Sequence, residues 1–253
     1  NSYKNLINSK DIDAIYISTL NNTHANLIKQ AALASKHVLC EKPISINRDE
    51  ILDIYKTVKN SNNFFLEGIA YRSHSYIKKL IEILETEFNN DIISIEASFG
   101  FNVKKINPNS RLFNKDIGGG AILDVGCYPL SLLNLIANLS NQNKEIKLLD
   151  AKANFCSTGV DEFSEANYLI SSKIKANIKV AIRKQLKNEI IINGQNGFLK
   201  ISEPWVPSKK IFIEINLGKN YHKKFITSEI SVYANQINHF NNAIRNNVTK
   251  LNF

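Results

Sequence analysis

Ala14-Ile15-Tyr16-Ile17-Ser18, then Asn21-Asn22-Thr23 and the run Ala25 to Ala34, then His37-Val38-Leu39-Cys40, is the stretch on which the fold turns. Its two outer pieces are short and apolar, the composition of strands buried on both faces of a parallel sheet. Between them Asn21-Asn22-Thr23 supplies helix-cap chemistry, and Ala25 to Ala34 predicts a helix. The second strand is ended by Glu41-Lys42-Pro43. Asn47, with Glu50 three residues on, makes an N-cap and N3 pair that opens a helix to about Asn60. Phe64-Phe65-Leu66 begins a third strand. This alternation predicts a doubly wound parallel unit with right-handed crossovers. Ligands of such a unit lie outside the carboxyl ends of its strands, where Thr19, Glu41, Lys42 and Glu67 fall.

Working outward, Asn1 to Ile7 reads as a short helix leading directly into the first strand. After about Arg72 the pattern changes. A helix over about Tyr76 to Glu87 leads into a strand, Ile92 to Phe99. An irregular stretch, Asn102 to Lys115, reaches Gly118-Gly119-Gly120, and a helix follows from Ala121 to about Ala137. Beyond Leu148 come strand patterns. In 173–182, Lys173, Lys175, Asn177 and Lys179 alternate with Ile174, Ala176, Ile178 and Val180, so one face is buried and one is wet. Asn196-Gly197 predicts a hairpin turn, and a last helix runs from about Glu229 to Arg245. The fold class is therefore α/β: a partial doubly wound (Rossmann) parallel sheet over 1–72, then an α+β domain over 73–253 with a large, mostly antiparallel open sheet.

The 253 residues, 43% hydrophobic and 22% charged, have the balance of a globular protein with a real core. No apolar run approaches the length of a membrane span, and no signal-peptide pattern opens the chain. The net charge of +9 is spread through a Lys-rich sequence rather than held in one basic tract. With no recognition motif, nucleic acid and membranes are not expected partners. The basic strand face of Lys173, Lys175 and Lys179 is either solvated or part of a subunit interface. Cys40, Cys127 and Cys156 are widely spaced without a C-x-x-C pair, which fits reduced thiols in a cytoplasmic protein. The histidines His37, His74, His222 and His239 show no ligand spacing, so no metal is expected.

Two segments hold candidate chemistry. A lysine at a strand end, Lys42, can donate to a ribose or a substrate hydroxyl and lower the pKa of a nearby phenol; it can also be an ordinary exposed lysine. If the run after the glycines is helical, Asp124 and Tyr128 are i and i+4 and share a face. A tyrosine beside a cation can exchange a proton with a substrate oxygen, and a carboxylate one turn away can orient that hydroxyl. The alternative is a flexible loop, a helix cap and a core tyrosine.

In order and spacing the segments Asp13 to Thr19 with Asn21 and His24, Lys36 to Pro43, Glu67 to Arg72 and Gly118 to Pro129 resemble the Gfo/Idh/MocA oxidoreductases over essentially the whole chain. The likeness is strongest to the branch containing glucose–fructose oxidoreductase and dimeric dihydrodiol dehydrogenase. The resemblance implies NAD or NADP as cofactor and hydride transfer at a CH–OH carbon of a carbohydrate-like substrate: a sugar, polyol or diol. It implies that Lys42 lies near the nicotinamide and reacting hydroxyl, that Asp124 orients the substrate and that Tyr128 transfers the proton. Thr19, Asn21, His24 and Glu41 correspond to cofactor-lining positions, Tyr71 and Arg72 to a pair near the nicotinamide pocket, and Arg111 to a substrate or cofactor contact. It further implies a homodimer or homotetramer formed through the open sheet face.

The departures are specific. Leu20 stands where the family usually has Pro. The G-x-G-x-x-G turn, and the residue that separates NAD from NADP, are absent from these 253 residues. Two further βα units at ~30 residues each predict roughly 60 to 70 residues upstream, and the end at Leu251-Asn252-Phe253 also reads as early. A non-catalytic relative, sensing a ligand or acting as a scaffold, is the alternative reading. The joint presence of Lys42, Asp124 and Tyr128 argues against it.

Overall fold

The computed structural model of the chain describes residues 2–89, 91–139 and 144–248. The readings at Asn1 and at Leu251 to Phe253 lie outside them. The chain divides into two compact units. One holds Asn1–Ile69, Asp116–Gly118 and Gln236–Phe253; the other holds Ala70–Lys115 and Gly119–Asn235.

In the first unit, α1 (Tyr3–Asn8) precedes β1 (Ala14–Ile17), α2 (Asn21–Leu33), β2 (His37–Glu41), α3 (Arg48–Lys59) and β3 (Phe65–Gly68). The strands form one parallel sheet in the order β1-β2-β3. On one face Ile15, Ile17, Val38, Cys40 and Phe65 pack with Ile28 and Ala31 of α2 and Ile54 and Val58 of α3. On the other, Leu39, Phe64 and Leu66 pack with Phe240 and Ala243, which belong to the last helix, α6 (Val232–Arg245). Residues 236–248 thus group with the first unit.

Several expectations need correction. β1 is not buried on both faces: Ile15 and Ile17 are buried, but Tyr16 is 55% exposed. Its Tyr16 hydroxyl donates to a Glu41 carboxylate oxygen. Helix α2 begins at Asn21, not Ala25, and its N-cap, Leu20, has no side-chain bond. Thr23 instead donates to the Leu20 carbonyl from inside the first turn. At α3 the predicted pair is relayed. Asn47 Oδ1 accepts from Glu50 N at 3.0 Å, while Glu50 Oε2 accepts from Ser45, whose oxygen in turn receives the Asn47 N–H. α6 starts near Ser231, whose hydroxyl accepts from Ala234 N, two residues beyond Glu229 where the pattern placed it.

The second unit contains α4 (Ser75–Thr86), β4 (Ile92–Gly100), α5 (Cys127–Leu139), β5 (Ile146–Phe155), β6 (Asp161–Ile170), β7 (Ile174–Ala181), β8 (Glu189–Gly194), β9 (Gly197–Ser202), β10 (Lys210–Leu217) and β11 (Asn220–Thr227). They build an eight-stranded sheet in the order β11-β10-β9-β8-β4-β7-β6-β5. Only β4 and β7 pair in parallel. A hairpin forms as expected, but its turn is Gln195-Asn196, one residue earlier than the Asn196-Gly197 reading: Gly197 opens β9 and pairs with Gly194.

Register sorts the faces of this sheet. Ala176, Ile95, Ile192, Leu199 and Ile215 are paired neighbours and all buried. On the opposite face Glu165 takes both Lys152 and Lys179, at 3.1 and 3.5 Å, and Lys200 pairs with Glu189 at 3.0 Å. Lys173 pairs with Asp91. The predicted basic face therefore carries its own counter-charges. Such exposed pairs add about 0–1 kcal/mol each; their main effect is to keep that face wet.

One helical run, Lys115–Leu139, is 25 residues long and by length and composition alone suffices to cross a membrane, contrary to the sequence reading. Of its most apolar window, 67% is buried inside the protein, the pattern of a core helix.

Candidate functional site

The sequence-predicted residues are held in two groups, one in each unit. In the first unit Lys42 follows β2 in a turn whose Lys42-Pro43 peptide is cis. Two side chains fasten that turn. His24, fully buried, sets Nδ1 2.8 Å from the Pro43 carbonyl and Nε2 3.1 Å from the Thr19 carbonyl. Glu67, at the end of β3, accepts the Ile44 N–H on Oε1 at 3.3 Å. The loops leaving β1 and β2 are thus joined at the carboxyl edge of a parallel sheet, the position where open α/β sheets hold their ligands.

Within this group each side chain has its own partners. His24 has no exposed surface to line a cofactor; it is a strut between two loops. Glu41 Oε1 accepts from Tyr16 Oη at 2.6 Å, so that oxygen holds a surface phenol. The Thr19 hydroxyl lies 2.6 Å from that of Thr23. Asn21 Nδ2 donates to Gly118 O at 3.1 Å, where φ is +79° and a Cβ would meet Ile46 Cγ2 at 2.5 Å, so only glycine fits.

Burial pushes the Glu67 carboxyl up to about 7, against the lowering effects of the Ile44 N–H and the Lys42 charge. Its sign is definite. A carboxyl that binds its proton more tightly when folded contributes stability fully present below the unfolded value, and loses it as pH rises through the folded one. Glu67→Gln should remove that dependence. The stability of the native chain relative to the variant should fall between about pH 4.5 and 7, by on the order of 2 kcal/mol. Urea titrations at pH 5, 6, 7 and 8 test this, and parallel curves for the two proteins would refute it. The Cys40 thiol is likewise pushed up by burial, then by Glu67 and Glu41, which makes it a core residue rather than a nucleophile.

In the second unit the expected continuous helix from Ala121 is a π-helical turn, Ile122–Gly126, followed by α5. The reason is in the sequence. Pro129 has no N–H for the Val125 carbonyl, and its ring crowds that position in an α-helix; a wider turn ahead of it relieves both constraints. Asp124, in the π turn, is 6% exposed and bound by Arg111 Nη1 at 2.6 Å. The Arg111 side chain is 57% exposed, so a solvated guanidinium meets a buried carboxylate. Tyr128, in the first turn of α5, sits among aromatic rings. Phe99 meets it edge-on at 5.2 Å, Tyr71 lies at 6.0 Å and Trp205 at 6.4 Å between centroids.

Tyr71, expected near a nicotinamide, is fully buried. Its hydroxyl lies 2.7 Å from Ser131 Oγ and donates to Tyr128 O at 3.2 Å. Arg72 Nη1 donates to Ser131 O at 2.9 Å. Both brace the start of α5 from below. Trp205 and Phe99 escaped the sequence reading. Trp205 is the chain's single tryptophan and lies between Pro204 and Pro207, a signal that was available; Phe99 carried none beyond its strand pattern. Among the described residues no group of three or more His, Cys, Asp or Glu is placed to hold a metal ion, and Cys40, Cys127 and Cys156 are free thiols.

The first unit thus has a lysine turn at the carboxyl edge of its parallel sheet, and the second presents a charge-paired carboxylate and a phenol. Residues 1–69 match the family model described as "Oxidoreductase family, NAD-binding Rossmann fold". Over those residues the chain is similar to the Gfo/Idh/MocA oxidoreductases. It is 29% identical over 211 residues to the trans-1,2-dihydrobenzene-1,2-diol dehydrogenase of Xenopus tropicalis, covering 83% of this chain and 62% of that protein. To D-xylose 1-dehydrogenase (NADP(+)) 2 of Haloferax volcanii it is 31% identical over 134 residues, 53% of this chain and 41% of that one. The fold also matches KijD10, a 3-ketoreductase from Actinomadura kijaniata solved with NADP and TDP-benzene. There the TM-score is 0.86 at 21% identity, over 98% of this chain and 75% of the other. The chain thus spans about 62% of the length of the dihydrodiol dehydrogenase.

Proposed function

We propose that this chain carries the substrate side of an NAD(P)-dependent dehydrogenase acting on a CH–OH carbon of a sugar, polyol or diol. The relatives' names supply the substrate class, since they are dehydrogenases of a dihydrodiol and of D-xylose. The observation that carries the reading is the arrangement around the π turn. A buried, charge-paired carboxylate, Asp124, and a phenol seated on aromatic rings, Tyr128, stand four residues apart on a braced helix start.

The residues divide the work. Asp124 accepts a hydrogen bond from a substrate hydroxyl and orients it. Tyr128 takes the proton from the reacting hydroxyl on oxidation and returns it on reduction, so CH–OH becomes C=O with one hydride and one proton removed. Lys42 offers the reacting oxygen a cation from a turn fixed by His24 and Glu67. Bound NAD(P) supplies or accepts the hydride. The first unit is the dinucleotide-binding part; the second binds substrate and assembles a homodimer or homotetramer through its charge-paired sheet face, in the cytoplasm.

The direct test follows reduced nicotinamide at 340 nm with NAD⁺ or NADP⁺ and D-xylose or a vicinal diol. Lys42→Met should lower turnover about 10²- to 10³-fold and move the low-pH limb of the oxidation-rate profile to higher pH, because the cation favouring the phenolate is gone. An unmoved limb would leave Lys42 a positional role only. Wild-type protein inert with both cofactors and both substrate types would remove the dehydrogenase reading.

A further inference from the structure

Asp161, the first residue of β6, has no part in the chemistry above, yet its carboxylate stands at the start of the segment that carries Asp124 and Tyr128. Oδ2 accepts from the Ile122 N–H at 2.9 Å across 39 residues of sequence, and from Ser164 Oγ at 2.8 Å. Oδ1 lies 2.2 Å from the point a Gly120 Cβ would occupy, and Gly120 has φ +114°. The glycine is therefore needed twice, once for its backbone and once to admit the carboxylate.

An N-cap is normally a local matter, supplied by the residue before the helix. Here that residue is Ala121, without a side-chain bond. The Ile122 N–H is satisfied instead from the sheet. A carboxylate at that end also answers the positive pole of the helical segment. Unlike a local cap, it ties the start of the π turn to β6, which packs in a different layer. Backbone bonds hold the glycines beside it, Gly119 N to Asn114 O at 2.9 Å and Gly120 N to Leu112 O at 3.0 Å, and Arg111 holds Asp124 within the turn.

We propose that Asp161 is a positioning residue for the site: it fixes the rotation and height of the π turn and thereby where the Asp124 carboxylate and the Tyr128 phenol stand. A residue whose only role is capping stabilises the helix and leaves turnover alone. A residue that sets the register of the turn changes kcat, because displacements of about 1 Å at a reacting group cost up to about a hundredfold.

The inference rests on the proposed dehydrogenase reading for its kinetic arm, and a second readout stands apart from it. Trp205, the only tryptophan, lies 6.4 Å from the Tyr128 ring, so its near-ultraviolet circular dichroism and emission report on that ring's placement. Asp161→Ala should lower kcat with NADP⁺ and D-xylose about tenfold to a hundredfold, with KM for NADP⁺ unchanged, and should alter the Trp205 signals while far-ultraviolet dichroism is retained. Asp161→Asn keeps an acceptor oxygen and should recover most of both. Ser164→Ala, which removes only the carboxylate's support, should move both readouts the same way by about two- to fivefold; it serves if Asp161→Ala does not fold. Native kcat and native Trp205 signals in Asp161→Ala, or in Ser164→Ala where that variant serves, would overturn the proposal. So would a kcat loss that Asn does not recover. If the wild-type protein oxidises nothing, the dehydrogenase reading fails by itself, and the Trp205 signals decide the role of Asp161.

Discussion

Tyr128→Phe should lower kcat about 10²- to 10⁴-fold while leaving the fold and KM for the dinucleotide nearly unchanged. The separation is expected because the two functions of this residue use different atoms. Its ring fills a place between Phe99, Tyr71 and Trp205, and phenylalanine keeps that packing. Its backbone carbonyl receives the Tyr71 hydroxyl and also the Ser131 hydroxyl, at 3.2 and 3.0 Å, and both survive the substitution. Only the phenolic oxygen is removed. Steady-state kinetics with NADP⁺ and D-xylose, beside thermal melts of both proteins, measure the two effects. An activity loss below tenfold would show that another group or water carries the proton. A Tm drop of more than a few degrees would show that the hydroxyl is structural.

Trp205→Ala should cost about 3 to 5 kcal/mol of stability, the largest effect expected of any single side chain outside the reacting groups. Trp205 is 2% exposed. It meets Tyr71 edge-on at 5.3 Å and stacks with Phe99 at 6.1 Å. Its indole N–H donates to the Ser98 carbonyl at 2.7 Å. Truncation leaves a cavity under Tyr128 and removes the partner of a strand carbonyl, and both effects destabilise. Urea unfolding followed by far-ultraviolet dichroism gives the number, since the fluorescent probe itself is lost. Trp205→Phe retains most of the ring volume and should cost about 1 to 2 kcal/mol. A loss below 1 kcal/mol for the alanine variant would mean that the aromatic cluster collapses around the gap, and that Tyr128 does not depend on it.

The parallel βα unit, the wet and dry faces of β7 and a hairpin within one residue of its turn were legible in the sequence, which also singled out Lys42, Asp124 and Tyr128 as candidates. These are short-range facts. Periods of two and 3.6 residues, a cap three residues from its partner and a turn dipeptide are written within a few positions of one another. Tertiary structure decided the rest. The partners of His24, Glu41 and Tyr71 were not legible, because burial and partner choice depend on residues 19 to 60 positions away. α6 closed the second face of the first sheet through Phe240 and Ala243, which no local pattern ties to Leu39 or Phe64. The π turn was half legible, since Pro129 forbids an unbroken α-helix. Its anchor was not: Asp161 meets Ile122 only because β6 returns beside the glycine run. A hydrogen bond across 39 residues leaves no period in the sequence, and only the packed chain can make it.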